Sequence, residues 1–264
     1  MYVEKIIKAR DKVLVKRYSA RLFGAPNESR IKRLRKTPKA MEKYNQHQRA
    51  EKLQMLMILN FDKGFHVILD YPKDNRPKSY EEAEANLKKA LYKISRRFKS
   101  QGKQFKYIAI TERGKRAAAL HHHMIVEGAS EVVEELVRTW GQHIKVNAMY
   151  DEGLYKDLAE YFCKVETKEE QEKGKSKYHR SRNLKEPVTK SRIRPGTFKN
   201  DPEVPEGYRL VEHSLKNGVN EIVGIKYQRY MLRKEQAETT SDLKGNEKRT
   251  IWGAIKGLFK KRRQ

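Results

Sequence analysis

Residues 105–126, FKYIAITERGKRAAALHHHMIV, narrow the possible folds more than any other stretch of the chain. They read as two strands joined by a short basic loop. Side chains alternate between faces along a strand, so His121, His123 and Ile125 share one face, and Leu120, His122, Met124 and Val126 the other. A hairpin register that sets Ile110 opposite His123 also sets Glu112 opposite His121 across the ladder. Two imidazoles and a carboxylate then point the same way. Such a donor set suits a divalent cation with open positions, and Mn²⁺ or Mg²⁺ matches the mixture better than a thiophilic metal. The plainer alternative is that the histidines are packed core residues, although three in succession are costly to bury without partners.

The flanking segments supply the rest of a sheet. Phe65 to Tyr71 reads as a largely buried strand after the turn Asp62-Lys63-Gly64. Ser79 and Glu82 have capping-box spacing, and Ala83, Leu87, Ala90, Leu91, Ile94 and Phe98 follow at helical intervals, ending at Gly102. The opposite face of that helix carries Lys88, Lys89, Lys93, Arg96 and Arg97. After the hairpin, Ser130 is placed to cap a second helix whose stripe is Val133, Leu136, Val137 and Trp140, and Gly141 stops it. Residues 143–149 alternate polar and apolar as a half-buried strand does. The order is strand, helix, strand, strand, helix, strand, which predicts an α+β fold with a ferredoxin-like βαββαβ core and a mainly antiparallel sheet. A further helix is predicted over 153 to about 168, with Leu154, Leu158, Phe162 and Val165 as its packed stripe. Tyr161 lies about 60° from Leu158 around that helix, with Lys164 beside it.

Composition decides the class of partner. With 264 residues the chain can hold one substantial domain with extensions, and 60 Lys and Arg against 34 Asp and Glu give a formal charge of +26. A field of that sign favours a polyanion, with nucleic acid first and an anionic membrane surface second. The single cysteine, Cys163, excludes an internal disulfide and a thiolate metal cage, and suits a reducing cytosol. No run of 18 apolar residues occurs, so no stable membrane insertion and a cytoplasmic location are expected. Residues 1–52 read as a basic N-terminal arm, in which 31–50 are either helical about Pro38 or a solvated basic face. Residues 207–231 regain apolar content and predict further strands. Residues 233–264 read as a basic, flexible tail. Within it Ile251, Trp252, Ile255, Leu258 and Phe259 fall at near-helical spacing before Lys260-Lys261-Arg262-Arg263, a pattern that fits a phosphate-gripping arm or a partner-docking helix.

These motifs, in this order, resemble the HUH endonuclease superfamily, and within it the rolling-circle replication initiators of small single-stranded DNA phages and related plasmids. His121-His122-His123 resembles the paired-histidine motif, with His122 where an apolar residue is usual. Phe65 to Asp70 resembles the first-motif strand, with Asp70 where many relatives carry Thr. Tyr161-Phe162-Cys163-Lys164 resembles the tyrosine motif. Trp140-Gly141 and Ser181 to Pro187 are similar to further features of the replication-associated proteins. The likeness runs from about Asn60 to Tyr230 and sets the domain at 53–232, with its core at 60–168 and a C-terminal elaboration at 178–231.

The resemblance implies a metal-dependent endonuclease acting on single-stranded DNA at a replication origin, with a host helicase and polymerase as further partners. Glu112, His121 and His123 would hold Mg²⁺ or Mn²⁺. Tyr161 would attack the phosphodiester, leaving a 5′-phosphotyrosine and a free 3′ hydroxyl. Lys164 would favour the phenolate or hold the phosphate or the departing oxygen. Tyr155, about 120° from Tyr161 on a helix, is not placed to share one cleft, so a single-tyrosine enzyme is expected. Two other readings stay open from the residues: a non-catalytic nucleic-acid-binding βαββαβ module, and a metal-dependent nuclease that uses water.

Overall fold

The computed structural model describes residues 1–20, 39–114, 119–149, 154–164, 178–220 and 225–235. The basic tail beyond Glu235 and the stretch 21–38 lie outside the described residues. Contacts divide the chain into two units, one joining Met1–Leu59 to the described stretch from Glu186 onward, the other running from Asn60 to Lys185. The described residues are α+β, with antiparallel sheets and four α-helices. None of these helices is long and apolar enough to cross a membrane.

The first unit departs from the arm expected at the N-terminus. Tyr2–Ala9 (β1) and Lys12–Ser19 (β2) form an antiparallel hairpin. Its two-residue turn puts Arg10 at φ 54°, a conformation in which hairpins usually place Asn or Gly. The sequence therefore lacks the usual turn signal. Lys39–Asn60 (α1) follows. β1 also pairs with Val188–Arg194 (β8), and β2 with Ile225–Lys234 (β11), which carries Tyr208–Leu210 (β9) and Lys216–Asn220 (β10). Val13, Val15, Tyr230 and Leu232 make this unit's apolar cluster. Glu4 is buried among Arg17, Arg192 and Arg194, so opposite charges allow a strand this basic to pack.

The second unit follows the predicted order. Phe65–Leu69 (β3), Tyr80–Ser100 (α2), Tyr107–Arg113 (β4), Leu120–Val126 (β5), Ser130–Trp140 (α3) and Ile144–Ala148 (β6) form a sheet in the order β6-β3-β5-β4, extended at its β4 edge by His179–Arg180 (β7). Every pairing is antiparallel. The arrangement is compatible with a ferredoxin-like core. Ser79 caps α2 by accepting the Glu82 N–H, and the Glu82 carboxylate accepts the Lys78 N–H. Ala129 is the N-cap of α3, with no side-chain bond, so Ser130 is a first-turn residue and not the expected cap.

Leu87, Leu91, Ile94 and Phe98 of α2 and Val132, Val133, Leu136 and Val137 of α3 pack on the sheet face that carries Val67, Leu69, Ala109, Met124 and Val126. That is the face of Leu120 and Met124. The parity of the strands leaves His121 and His123 on the other. At the end of β5, Gly128 passes the Lys63 carbonyl so closely that a Cβ would lie 1.6 Å from its oxygen. Only glycine fits there without moving the chain.

Candidate active site

The β4–β5 ladder has the register anticipated from the sequence: Ile110 faces His123, and Glu112 faces His121. One ligand atom from each of Glu112, His121 and His123 lies within 4.8 Å of the other two. His121 Nε2 and His123 Nε2 are 3.0 Å apart, and His123 Nε2 is 3.3 Å from Glu112 Oε2. Glu112 and His123 are buried, whereas His121 is half-exposed, so the cluster opens at the His121 end.

The outer nitrogens of both rings are engaged. His121 Nδ1 lies 3.3 Å from the Ala119 carbonyl oxygen, which can only accept. His123 Nδ1 lies 3.0 Å from His66 Nε2. Burial, and secondarily the neighbouring His123, press the His66 pKa down to about 4, so His66 is neutral and able to accept. With both Nδ1 atoms donating, as the hydrogen-bond network requires, both Nε2 lone pairs face the Glu112 carboxylate. Three electron-rich atoms converging in this way fit a cation, and the mixture of nitrogen and oxygen donors without sulfur fits a hard or borderline divalent ion.

Tyr161 completes the cluster. It lies on Lys156–Phe162 (α4), a helix shorter than the one expected over 153–168. Residues 150–153 and 165–177 lie outside the described residues. The packed side of this segment is Tyr155, Ala159, Phe162 and Cys163. It is not the predicted stripe through Leu154 and Leu158, because Tyr155 stands before the helix at φ 51° and turns the chain. The Tyr161 hydroxyl donates to Glu112 Oε2 at 2.5 Å and lies 3.0 Å from His123 Nε2. Burial first, and then the hydrogen bond to Glu112, raise the phenol pKa above its usual value. Burial would likewise raise the Glu112 pKa, but hydrogen bonds with His123 and Tyr161 outweigh it and hold the carboxyl below its ordinary range.

Lys164 is exposed, beyond the end of α4, with Nζ 5.6 Å from the centre of the Tyr161 ring. Tyr155 is 3 % exposed, and its hydroxyl donates to the Asp62 carbonyl at 2.8 Å.

On the opposite face His122 is fully buried, with Nε2 2.7 Å from Tyr71 Oη and Nδ1 2.9 Å from Thr111 Oγ1. Thr111 bonds to Glu84 of α2, which also bonds to His179 of β7. His122 is therefore a satisfied core histidine, its pKa pushed down to about 3 mainly by burial. His66, Thr111, Glu84 and His179 did not emerge from the sequence. His66 carried a usable signal, because in a strand next to β5 it has the parity that faces His123.

This unit thus presents two imidazoles, a carboxylate and a tyrosine on one face of a ferredoxin-like sheet, the arrangement of a metal-assisted phosphodiester site. Residues 64–170 match the model of the replication-associated protein ORF2 family, a family of rolling-circle replication initiators. The match spans every residue of the cluster, from His66 to Lys164. Comparisons of the chain with curated proteins and with solved structures gave no match.

Proposed function

We propose that the chain initiates rolling-circle replication by nicking single-stranded DNA at an origin, with Tyr161 as the nucleophile. The observation that carries this reading is the Tyr161 hydroxyl 2.5 Å from Glu112 and 3.0 Å from His123, within a cluster suited to a divalent metal. The match to the replication-associated family supports it.

Glu112, His121 and His123 would hold Mg²⁺ or Mn²⁺, which supplies a counter-charge to the phosphoryl oxygens and orients the phosphate. Glu112 is the carboxylate nearest the phenolic proton. The Tyr161 oxygen bonds to phosphorus as the bond to the 3′ oxygen breaks, and that oxygen takes a proton to become a free 3′ hydroxyl. The product is a 5′-phosphotyrosine. Because the phosphodiester is exchanged for another phosphate ester, the 3′ hydroxyl can attack in reverse and reseal the strand without ATP. Lys164 stands on the outer side of the phenol, where an ammonium can hold the phosphate or the departing oxygen. Tyr155 donates its hydroxyl within the buried interior, which supports a single tyrosine as nucleophile.

The test is incubation of the full chain with 5′- or 3′-labelled single-stranded origin DNA and Mn²⁺ or Mg²⁺, followed by a denaturing gel. Label from the strand 3′ of the nick should migrate with the protein. Cleavage without an adduct would replace the tyrosine mechanism by attack of water. Binding without cleavage of any origin strand would leave a non-catalytic module.

A further inference from the structure

The helical layer of the second unit carries a groove that the nicking chemistry does not use. Its volume is about 290 Å³, and it is lined by Tyr71, Pro72, Asn75, Asn86, Lys89, Ala90, Lys93, Thr139 and Trp140. The lining holds two aromatic rings, two ammonium groups and two amides, and no carboxylate. Both rings are held in place. The Tyr71 hydroxyl is 2.7 Å from His122 Nε2, and Trp140 Nε1 donates to the Asp70 carbonyl at 2.8 Å. Their planes meet at 61° with centres 5.1 Å apart, so they form a corner. A flat ring entering that corner stacks on one aromatic and meets the edge of the other. The volume is near the lower end of ligand sites, which begin at roughly 300 Å³, and suits one base more than a larger molecule.

The groove opens onto a stripe of α2. Asn86, Lys89, Lys93 and Arg96 are three or four residues apart, so they lie on one side of the helix. Lys89, Lys93 and Arg96 are exposed, and beside them Tyr92 is 64 % exposed with the Arg96 guanidinium 5.7 Å above its ring. An exposed aromatic within a row of cations, continuous with an aromatic corner, has the two components that single-stranded nucleic acid uses: stacking for bases and positive charge for the backbone. α2 packs on the sheet face opposite His121 and His123, so this surface is separate from the candidate active site.

We infer that the groove and the α2 stripe bind single-stranded DNA, with a base against Tyr71 and Trp140 and the phosphates along Lys89, Lys93 and Arg96. The inference does not depend on nicking, and the measurement is made in EDTA so that failure of one leaves the other standing. The chain has two tryptophans, so Trp252→Phe in the full-length protein makes Trp140 the sole indole. Titration with oligothymidylate should quench its emission saturably.

In the same background Lys89→Gln, Lys93→Gln and Arg96→Gln together remove three exposed charges with little cost to the helix. Fluorescence anisotropy of labelled oligothymidylate should then show weaker binding. The slope of log affinity against log salt should fall by about 2, since each phosphate contact with a single strand contributes about 0.7. Nicking by the triple variant at saturating DNA and Mn²⁺ should match that of the parent. Trp140 emission unmoved by saturating oligothymidylate would overturn the inference, as would an unchanged salt slope in the triple variant.

Discussion

His66 Nε2 lies 3.0 Å from His123 Nδ1, and the two rings stack with centres 5.1 Å apart. A ligating imidazole is usually oriented by a partner on its other nitrogen. Here that partner is itself a histidine, kept neutral by burial. His66→Ala should therefore leave His123 free to turn or change tautomer, and the Mn²⁺ concentration giving half-maximal nicking should rise roughly 10–100-fold. His66→Gln, which can place a carbonyl acceptor near Nδ1, should recover part of the loss. Metal titration followed by calorimetry gives an independent reading. Equal Mn²⁺ dependence in wild type and His66→Ala would show that His66 merely packs.

The three consecutive histidines should separate into two behaviours. His121→Ala and His123→Ala should remove nicking at ordinary metal concentrations while leaving urea unfolding nearly unchanged, because each ring lies in the proposed metal cluster. His122→Ala should do the reverse. It leaves Tyr71 and Thr111 short of a partner inside the core, at about 1–3 kcal/mol of stability, and touches no proposed ligand. Loss of nicking in a folded His122→Ala protein, with His121→Ala active, would invert the assignment of the two faces.

The two tyrosines of the α4 segment should also part. Tyr161→Phe removes only the attacking oxygen and should abolish the covalent adduct while leaving DNA affinity within about twofold, which is less than ~0.5 kcal/mol. Tyr155→Phe loses the bond to the Asp62 carbonyl, costing roughly 0.5–1.5 kcal/mol, and should still form the adduct. A denaturing gel of both variants with labelled DNA decides between them. Adduct from Tyr161→Phe with none from Tyr155→Phe would move the nucleophile.

How much of this was legible in advance depends on the range of the interactions. The second unit was readable because its cues are local: Ser79 and Glu82 at capping spacing, helical stripes in α2 and α3, and a strict alternation from Leu120 to Val126. The register of Glu112 against His121 followed from hairpin geometry. The hairpin of β1 and β2 was hidden, since Arg10 occupies a left-handed turn position and the buried Glu4 is neutralised by arginines from β2 and β8, the latter nearly two hundred residues away in sequence. The stripe of α4 was misplaced because Tyr155 leaves the helical path. The Thr111–Glu84–His179 chain joins three elements, and no spacing rule connects them.

Glu4 offers a test of the first unit by pH. Burial would raise its carboxyl pKa, but Arg17 and then Arg194 outweigh that and hold it below the usual 4.5. Between the folded pKa and 4.5 the unfolded chain therefore binds more protons than the folded one, and stability rises with pH. The contribution is complete above about 4.5 and is lost as pH falls through the folded pKa. Removing one member of a fully buried pair costs about 3–5 kcal/mol. The side chains of Arg192 and Arg194 keep 53 % and 42 % of their surface exposed, so solvent screening reduces the expected loss in Glu4→Gln to about 1–3 kcal/mol at neutral pH. Urea unfolding followed by far-ultraviolet circular dichroism should show Glu4→Gln less stable than wild type at pH 7, with the gap closing as the pH drops below 4.5. A gap that stays constant down to the acid transition would mean that Glu4 acts through packing and that its charge contributes nothing.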